Sequence, residues 1–179
     1  MNSSPGEDSE SVSSSPIEDP LNPAKTVRAV ICYIRRGDEF LLLLKANGRF
    51  GGGFWNAPGG KIAEGESAEQ AARREVFEET GLAVDRLENM GHLDFYFGSG
   101  KGRPDWAAEV FLTADFRGEI RESEEGRLEW FSKEKLPIDQ MWEDDRYWLP
   151  LLLEGRKFTG VFEFTGDSKR LISHDVTER

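Results

Sequence analysis

Three glutamates in one short stretch, Glu75, Glu78 and Glu79, have the type and spacing to hold a divalent cation. On a helix turning about 100° per residue they fall within roughly 100° of one another. Glu75 lies three residues from Glu78 and four from Glu79, so both are its surface neighbours. Ala68, Ala71 and Ala72 share that face, whereas a solvated acidic face would lie opposite the apolar stripe. The acids are therefore expected to line a shallow, partly buried cleft. Two carboxylates about 6 Å apart repel by roughly 3 kcal/mol at an effective dielectric near 20, so positive charge should accompany them. Arg74 can pair with Glu78 at four residues' spacing. Hard cations that prefer carboxylate and carbonyl oxygens would supply the rest. On these residues alone, a metal centre and an acidic surface helix explain the pattern about equally well.

The elements around this stretch follow from local pattern. Val27 to Arg35, a turn at Gly37-Asp38 and Phe40 to Leu44 read as a β-hairpin. A glycine-rich loop (Gly48, Gly51-Gly52-Gly53) leads to Trp55-Asn56-Ala57-Pro58-Gly59-Gly60. Ser67 to Thr80 reads as a helix, with Ser67 and Gln70 forming a capping box and Gly81 a left-handed C-cap. Strand-like segments recur at Leu93 to Phe97, Ala107 to Ala114, Leu128 to Phe131 and Phe158 to Phe164, with a second helix from Arg146 to Glu154. Mixed strands with two interposed helices indicate an α+β fold with helices packed on a sheet.

Composition narrows the partners. Residues 1–25 hold seven serines, four prolines and five acids against one basic residue, and are expected to be a disordered leader before a domain spanning 26–179. A body of roughly 150 residues buries about 70% of its unfolded surface, enough to fold without staples. The net charge of -11 argues against polymeric nucleic acid as a partner, but allows a small anion delivered with a cation. Cys32, the only cysteine, lies in an apolar run and reads as a buried hydrophobe in a reducing, cytoplasmic setting. No secretory signal is expected, and no apolar run is long enough to span a bilayer. Gly60-Lys61 is not a P-loop: Trp55 stands where its first glycine should be, and Ile62 follows the lysine.

Gly60, Glu66, Arg74-Glu75-Val76, Glu78-Glu79 and Gly81-Leu82 match, position for position, the Nudix box. Seven fixed positions coincide by chance on the order of 10⁻⁸ per start point. The chain thus resembles the Nudix hydrolases. That resemblance implies an αβα sandwich with a mixed sheet and two main helices, and hydrolysis of a diphosphate linkage with magnesium, for which manganese can substitute. It implies that Glu75, Glu78, Glu79 and the carbonyl of Gly59 hold metal or orient water, that Arg74 positions a glutamate, and that Glu125, or else Glu124, adds a downstream acid. Glu66 is then a supporting acid; by itself it reads as a solvated loop residue.

Over about residues 27–176 the chain further resembles the animal oxidised-purine nucleoside triphosphatases. The match runs through Phe50 to Asn56, Phe95-Tyr96-Phe97, Met141 to Leu153 and Lys157 to Phe164. By that resemblance Asn56, Asp144 and Asp145 read the base edge, Trp142 stacks on its face, and Phe50, Phe95, Phe97 and Phe164 line the pocket, with Trp106 a further candidate. Lys45, Gly60 and Lys61 are assigned to the substrate as well. An asparagine offers donor and acceptor together, and two adjacent buried carboxylates sharing one proton do the same. Redistribution of that proton would let one pocket take 8-oxoguanine or 2-oxoadenine. The expected reaction is cleavage of 8-oxo-dGTP or 2-oxo-dATP to monophosphate and pyrophosphate by a monomer, clearing damaged nucleotides before they enter DNA.

Taken singly, Asp144 or Asp145 is a good helix N-cap, and Trp142, Phe95 and Phe97 are ordinary core residues. The chain departs from the animal enzymes at Glu143, where they carry proline, which opens the prospect of a looser loop beside the aspartates. It departs also at Pro58, in place of an aromatic residue, and in a longer loop from Gly98 to Pro104. Competing readings are a Nudix hydrolase of another nucleotide, a nucleotide-sensing module without catalysis, and an acidic protein-interaction module.

Overall fold

The structure, a computed structural model, describes residues 25–98 and 102–179. Nearly all of the expected leader and the middle of the Gly98 to Pro104 loop lie outside the described residues. The chain runs β1 (Val27–Arg36), β2 (Glu39–Lys45), β3 (Trp55–Asn56), β4 (Gly59–Lys61), α1 (Ala68–Thr80), β5 (Ala83–Val84), β6 (Glu88–Phe97), β7 (Trp106–Thr113), β8 (Phe116–Arg117) and β9 (Gly126–Ser132). Two short 3-10 turns, Lys133–Lys135 and Ile138–Gln140, lead to α2 (Asp145–Leu153), β10 (Phe158–Phe164) and β11 (Leu171–Glu178).

One sheet carries the order β11-β10-β6-β7-β1-β2-β3, with β4 also paired to β1 and β9 to β2. β1 runs parallel to β7, and β10 parallel to β6; the other pairs are antiparallel, so the sheet is mixed. A minor ribbon joins β5 to β8.

Alternation along β1 sends successive side chains to opposite faces. Val30, Cys32 and Ile34 pack with Leu41 and Leu43 of β2 against Ala71, Ala72 and Val76 of α1. Ala29 and Tyr33 pack with Phe40 and Leu42 against Trp148, Leu149 and Leu152 of α2. Each helix therefore covers one face, giving three layers, α/β/α. Cys32 is fully buried, and burial pushes its thiol up to about 12, which makes it inert.

The two helices start differently. α1 opens with the expected capping box: Ser67 Oγ accepts from Gln70 N at 3.1 Å, and Gln70 Oε1 accepts from Ser67 N at 2.8 Å. It closes at Gly81 with φ 80°, whose N–H reaches the Phe77 carbonyl at 2.9 Å. Asp144 stands at the N-cap position of α2 but makes no side-chain bond to the helix backbone. The N-cap role that its residue type suggests is not the one it fills, because its carboxylate is turned toward Trp148. Among the described residues, no helix is long and apolar enough to cross a membrane.

Candidate active site

Gly59 and Gly60 bring the strand of the loop onto the sheet and under α1 at once. β4 pairs with β1 through Ala29↔Lys61, Val30↔Gly60 and Ile31↔Gly59. A Cβ on Gly59 would lie 2.1 Å from the Val30 carbonyl oxygen, and one on Gly60 would lie 2.5 Å from the Glu75 carboxyl. At Gly59 the clash is with backbone, so no side chain fits there; at Gly60 the Glu75 carboxyl would have to move aside. Pro58 continues the ladder by accepting from Cys32 N at 2.8 Å.

The acids of α1 split into two environments. Glu79 is buried, and its Oε2 accepts from Gly59 N at 2.9 Å while Oε1 lies 3.8 Å from Lys45 Nζ. Burial pushes its pKa up to about 7; Lys45 and the Gly59 N–H pull it back, and the charges of Glu75 and Glu125 raise it further. Glu75 is largely covered, whereas the Glu78 side chain is 57% exposed, and Arg74 contacts both.

Arg74 ties this group together. It donates to both oxygens of Glu66 at 2.9 and 2.8 Å, to Glu75 at 2.6 Å, to Glu78 at 3.3 Å and to the Lys61 carbonyl at 3.0 Å. The guanidinium, with the Ala63 N–H, holds the Glu66 carboxyl down to about 2. Glu66 is thus a clamp on Arg74 and not a loose loop acid.

Glu75 and Glu125 lie close enough to the buried Glu79 for their charges to raise it further, and carboxylate oxygens are the ligands a hard divalent cation prefers. Among the described residues, no three acidic, histidine or cysteine side chains already converge on one point. Arg74 draws Glu75 and Glu78 to one side, and Arg49 pairs with Glu125 at 2.7 Å.

On the opposite face of β1 lies a cavity of about 350 Å³. Every residue assigned to the substrate lines it: Lys45, Phe50, Asn56, Gly60, Lys61, Phe95, Phe97, Trp142, Asp144, Asp145 and Phe164. So do Gly59, Glu125 and Trp106, so the cavity runs from the aromatic pocket to the glycine strand and Glu125. Phe50 stacks on Trp106 at 5.3 Å and leans on Trp142 at 5.5 Å; Phe54 stacks on the Trp142 ring at 5.2 Å. Lys61 Nζ lies 5.6 Å from the Trp106 ring centroid, between the aromatic wall and the glycine strand.

Asp144 and Asp145 are only 4% and 6% exposed. Asp144 Oδ2 accepts from Trp148 Nε1 at 2.9 Å. Burial raises both acids, Asp144 to about 6 and Asp145 well above the usual range, the latter also through the charge of Asp144. Asn56 Nδ2 donates to the Phe54 carbonyl at 3.0 Å, which fixes its amide plane. Glu143, where the animal enzymes carry proline, ties this loop to the start of β11: its Oε2 accepts from Leu171 N at 2.9 Å.

Two polar lining residues escape sequence reasoning. Tyr33 is buried beside both aspartates, whose charges, after burial itself, raise its phenol and keep it neutral. Its sequence signal is parity, since it shares a strand face with Ala29 and Ile31. Arg49 comes from the glycine-rich loop, and only folding places it beside Glu125.

A family model described as NUDIX domain matches residues 25–152. The chain is 43% identical over 149 residues to "Oxidized purine nucleoside triphosphate hydrolase" of Mus musculus, covering 83% of this chain and 92% of that protein. It is likewise 43% identical over 138 residues to the protein of the same name from Danio rerio, covering 77% and 86%. Among solved structures, a MutT protein from Bacillus halodurans superposes with a TM-score of 0.74 at 32% identity, covering 84% of this chain and 97% of that one.

Proposed function

The chain belongs to the Nudix family of hydrolases, and from that premise we propose that it cleaves oxidised purine nucleoside triphosphates, such as 8-oxo-dGTP and 2-oxo-dATP, to the monophosphate and pyrophosphate. The observation that carries this reading is the continuity of the cavity, from Asn56, Asp144 and Asp145 at one end to Glu125, Lys45 and Gly59 at the other, the last two being the residues that contact Glu79. The relatives from mouse and zebrafish bear names of that activity.

Glu75, Glu79, Glu125 and the Gly59 carbonyl would hold magnesium, or manganese in its place, with Glu78 at the rim. The ion would supply neutralisation of the polyphosphate and Lewis acidity toward the attacked phosphorus. Arg74, fixed by Glu66, orients Glu75 and Glu78. A carboxylate of this cluster accepts the proton of the attacking water. Lys45, Lys61 and the backbone of Gly60 receive the phosphate chain.

At the far end, Trp142 covers the base face. Burial favours one shared proton on Asp144 and Asp145, so the pair presents a donor and an acceptor beside the Asn56 amide. Trp148 Nε1 donates to Asp144 and holds it in place, with the neutral Tyr33 nearby. We read the protein as a cytoplasmic monomer whose residues 1–25 serve as a leader.

The test is a panel of nucleotides with magnesium, scored for pyrophosphate against orthophosphate. Pyrophosphate release from 8-oxo-dGTP should exceed that from dGTP, and Asp144→Asn should lose most of this preference. Equal rates on the two, unaffected by the substitution, would refute the assignment of the base pocket.

A further inference from the structure

We propose that Arg49 is a polyphosphate-binding residue, parked on Glu125 and handed to the substrate's phosphates when Glu125 turns to the accompanying cation. The inference rests on the function proposed above and deepens it by adding a residue to the phosphate end of the site.

Four observations support it. Arg49 lines the same cavity as Lys45, Gly60 and Glu125. Its Nη1 lies 2.7 Å from Glu125 Oε1, and its side chain is 44% exposed, so the guanidinium is not walled in. The backbone around the pair is fixed independently of it: Ala46 N donates to the Glu125 carbonyl at 2.8 Å, and Gly53 N to the Lys45 carbonyl at 3.0 Å. The guanidinium can therefore leave the carboxylate without dismantling the loop. Phe50, the next residue, stacks on Trp106 at the base end, so adjacent positions of one loop address the two ends of a nucleotide.

Charge gives the exchange its direction. Lys45 faces Glu79 and Arg49 faces Glu125, one cation per acid. A triphosphate carries more negative charge than one divalent ion cancels. When the acids turn to the ion, the two released cations meet that surplus. Exposed ion pairs contribute little to stability, so bracing the loop is a weak explanation for this one. A guanidinium is the side chain best shaped for two-point binding of phosphate.

The experiment measures binding, not turnover. The full chain is titrated calorimetrically, in magnesium chloride, with α,β-imido analogues of 8-oxo-dGTP and dGTP. Binding of the nucleoside 8-oxo-deoxyguanosine, which has no phosphate, is followed by quenching of tryptophan emission. Arg49→Ala should weaken the preferred imido analogue about tenfold or more, with Arg49→Lys recovering part, while nucleoside affinity stays within about twofold. The loss should persist in a Glu125→Gln background, because the partner that matters is phosphate. An unchanged affinity in Arg49→Ala overturns the proposal. So does a loss that vanishes once Glu125 is neutralised, or one shared equally by the nucleoside, since either marks a merely structural loop contact. Wild-type protein that binds neither imido analogue would bring down the proposed function and this inference together. Normal wild-type binding with an indifferent Arg49 would remove this inference alone.

Discussion

Asp144 carries its charge unwillingly, and the direction of its shift makes a stability prediction. Its folded pKa lies near 6, above the ordinary carboxylate value of 3.8, so the folded protein binds this proton more tightly than the unfolded chain. The group's contribution to stability is therefore complete below the ordinary value and is lost as pH rises through about 6. Asp144→Asn keeps an oxygen for Trp148 Nε1 and removes the titration. Relative to wild type, its unfolding free energy should climb as pH rises from about 4 to 7, even as selectivity for oxidised purines falls. Denaturant titrations across that range check it; a flat difference would place Asp144 in a water-like setting. Most of the site is legible from sequence at this scale, because the box acids and the Met141 to Leu153 segment are contiguous. Tyr33 and Arg49 are not, because each meets its partners only through pairing of distant segments.

Elements with strong local chemistry are legible in the sequence; those defined by their neighbours are not. The capping box and Gly81 mark α1 unambiguously, and Ser67→Ala should reduce stability by about 1 kcal/mol, measurable by urea unfolding. β11 is not legible in the sequence because Leu171–Glu178 is mostly polar and exposed, an edge strand without a buried face to impose alternation. β3 and β4, two and three residues long, are too short to show any period and exist by pairing with β2 and β1. β11 nevertheless bears on the site through the Leu171 N–H on Glu143. Glu143→Ala should free that loop and raise KM for 8-oxo-dGTP several-fold, leaving the magnesium dependence of turnover unchanged; a shifted magnesium dependence would disprove a purely base-end role.

For the molecule as a whole, an acidic chain of net charge -11 with a buried glutamate facing two other acids is a structure that divalent ions should stabilise. At magnesium concentrations about a hundredfold above Kd, mass action adds about 2.7 kcal/mol, or roughly 5–10 °C in Tm. Glu79→Gln should abolish that rise, and sodium chloride of matched ionic strength should not reproduce it. Differential scanning fluorimetry decides between specific binding and general screening.

The division of labour along β1 has a consequence for how such a chain can change. Val30 belongs to the layer beneath α1, while Ala29, Ile31 and Tyr33 form the floor of the aromatic cavity. Losing or gaining one residue there would turn the strand over, sending the tyrosine under the catalytic helix and a valine toward the base. Loops can lengthen freely, but this strand behaves like a reading frame: substitutions are tolerated one by one, whereas a single-codon deletion would scramble both halves of the enzyme together.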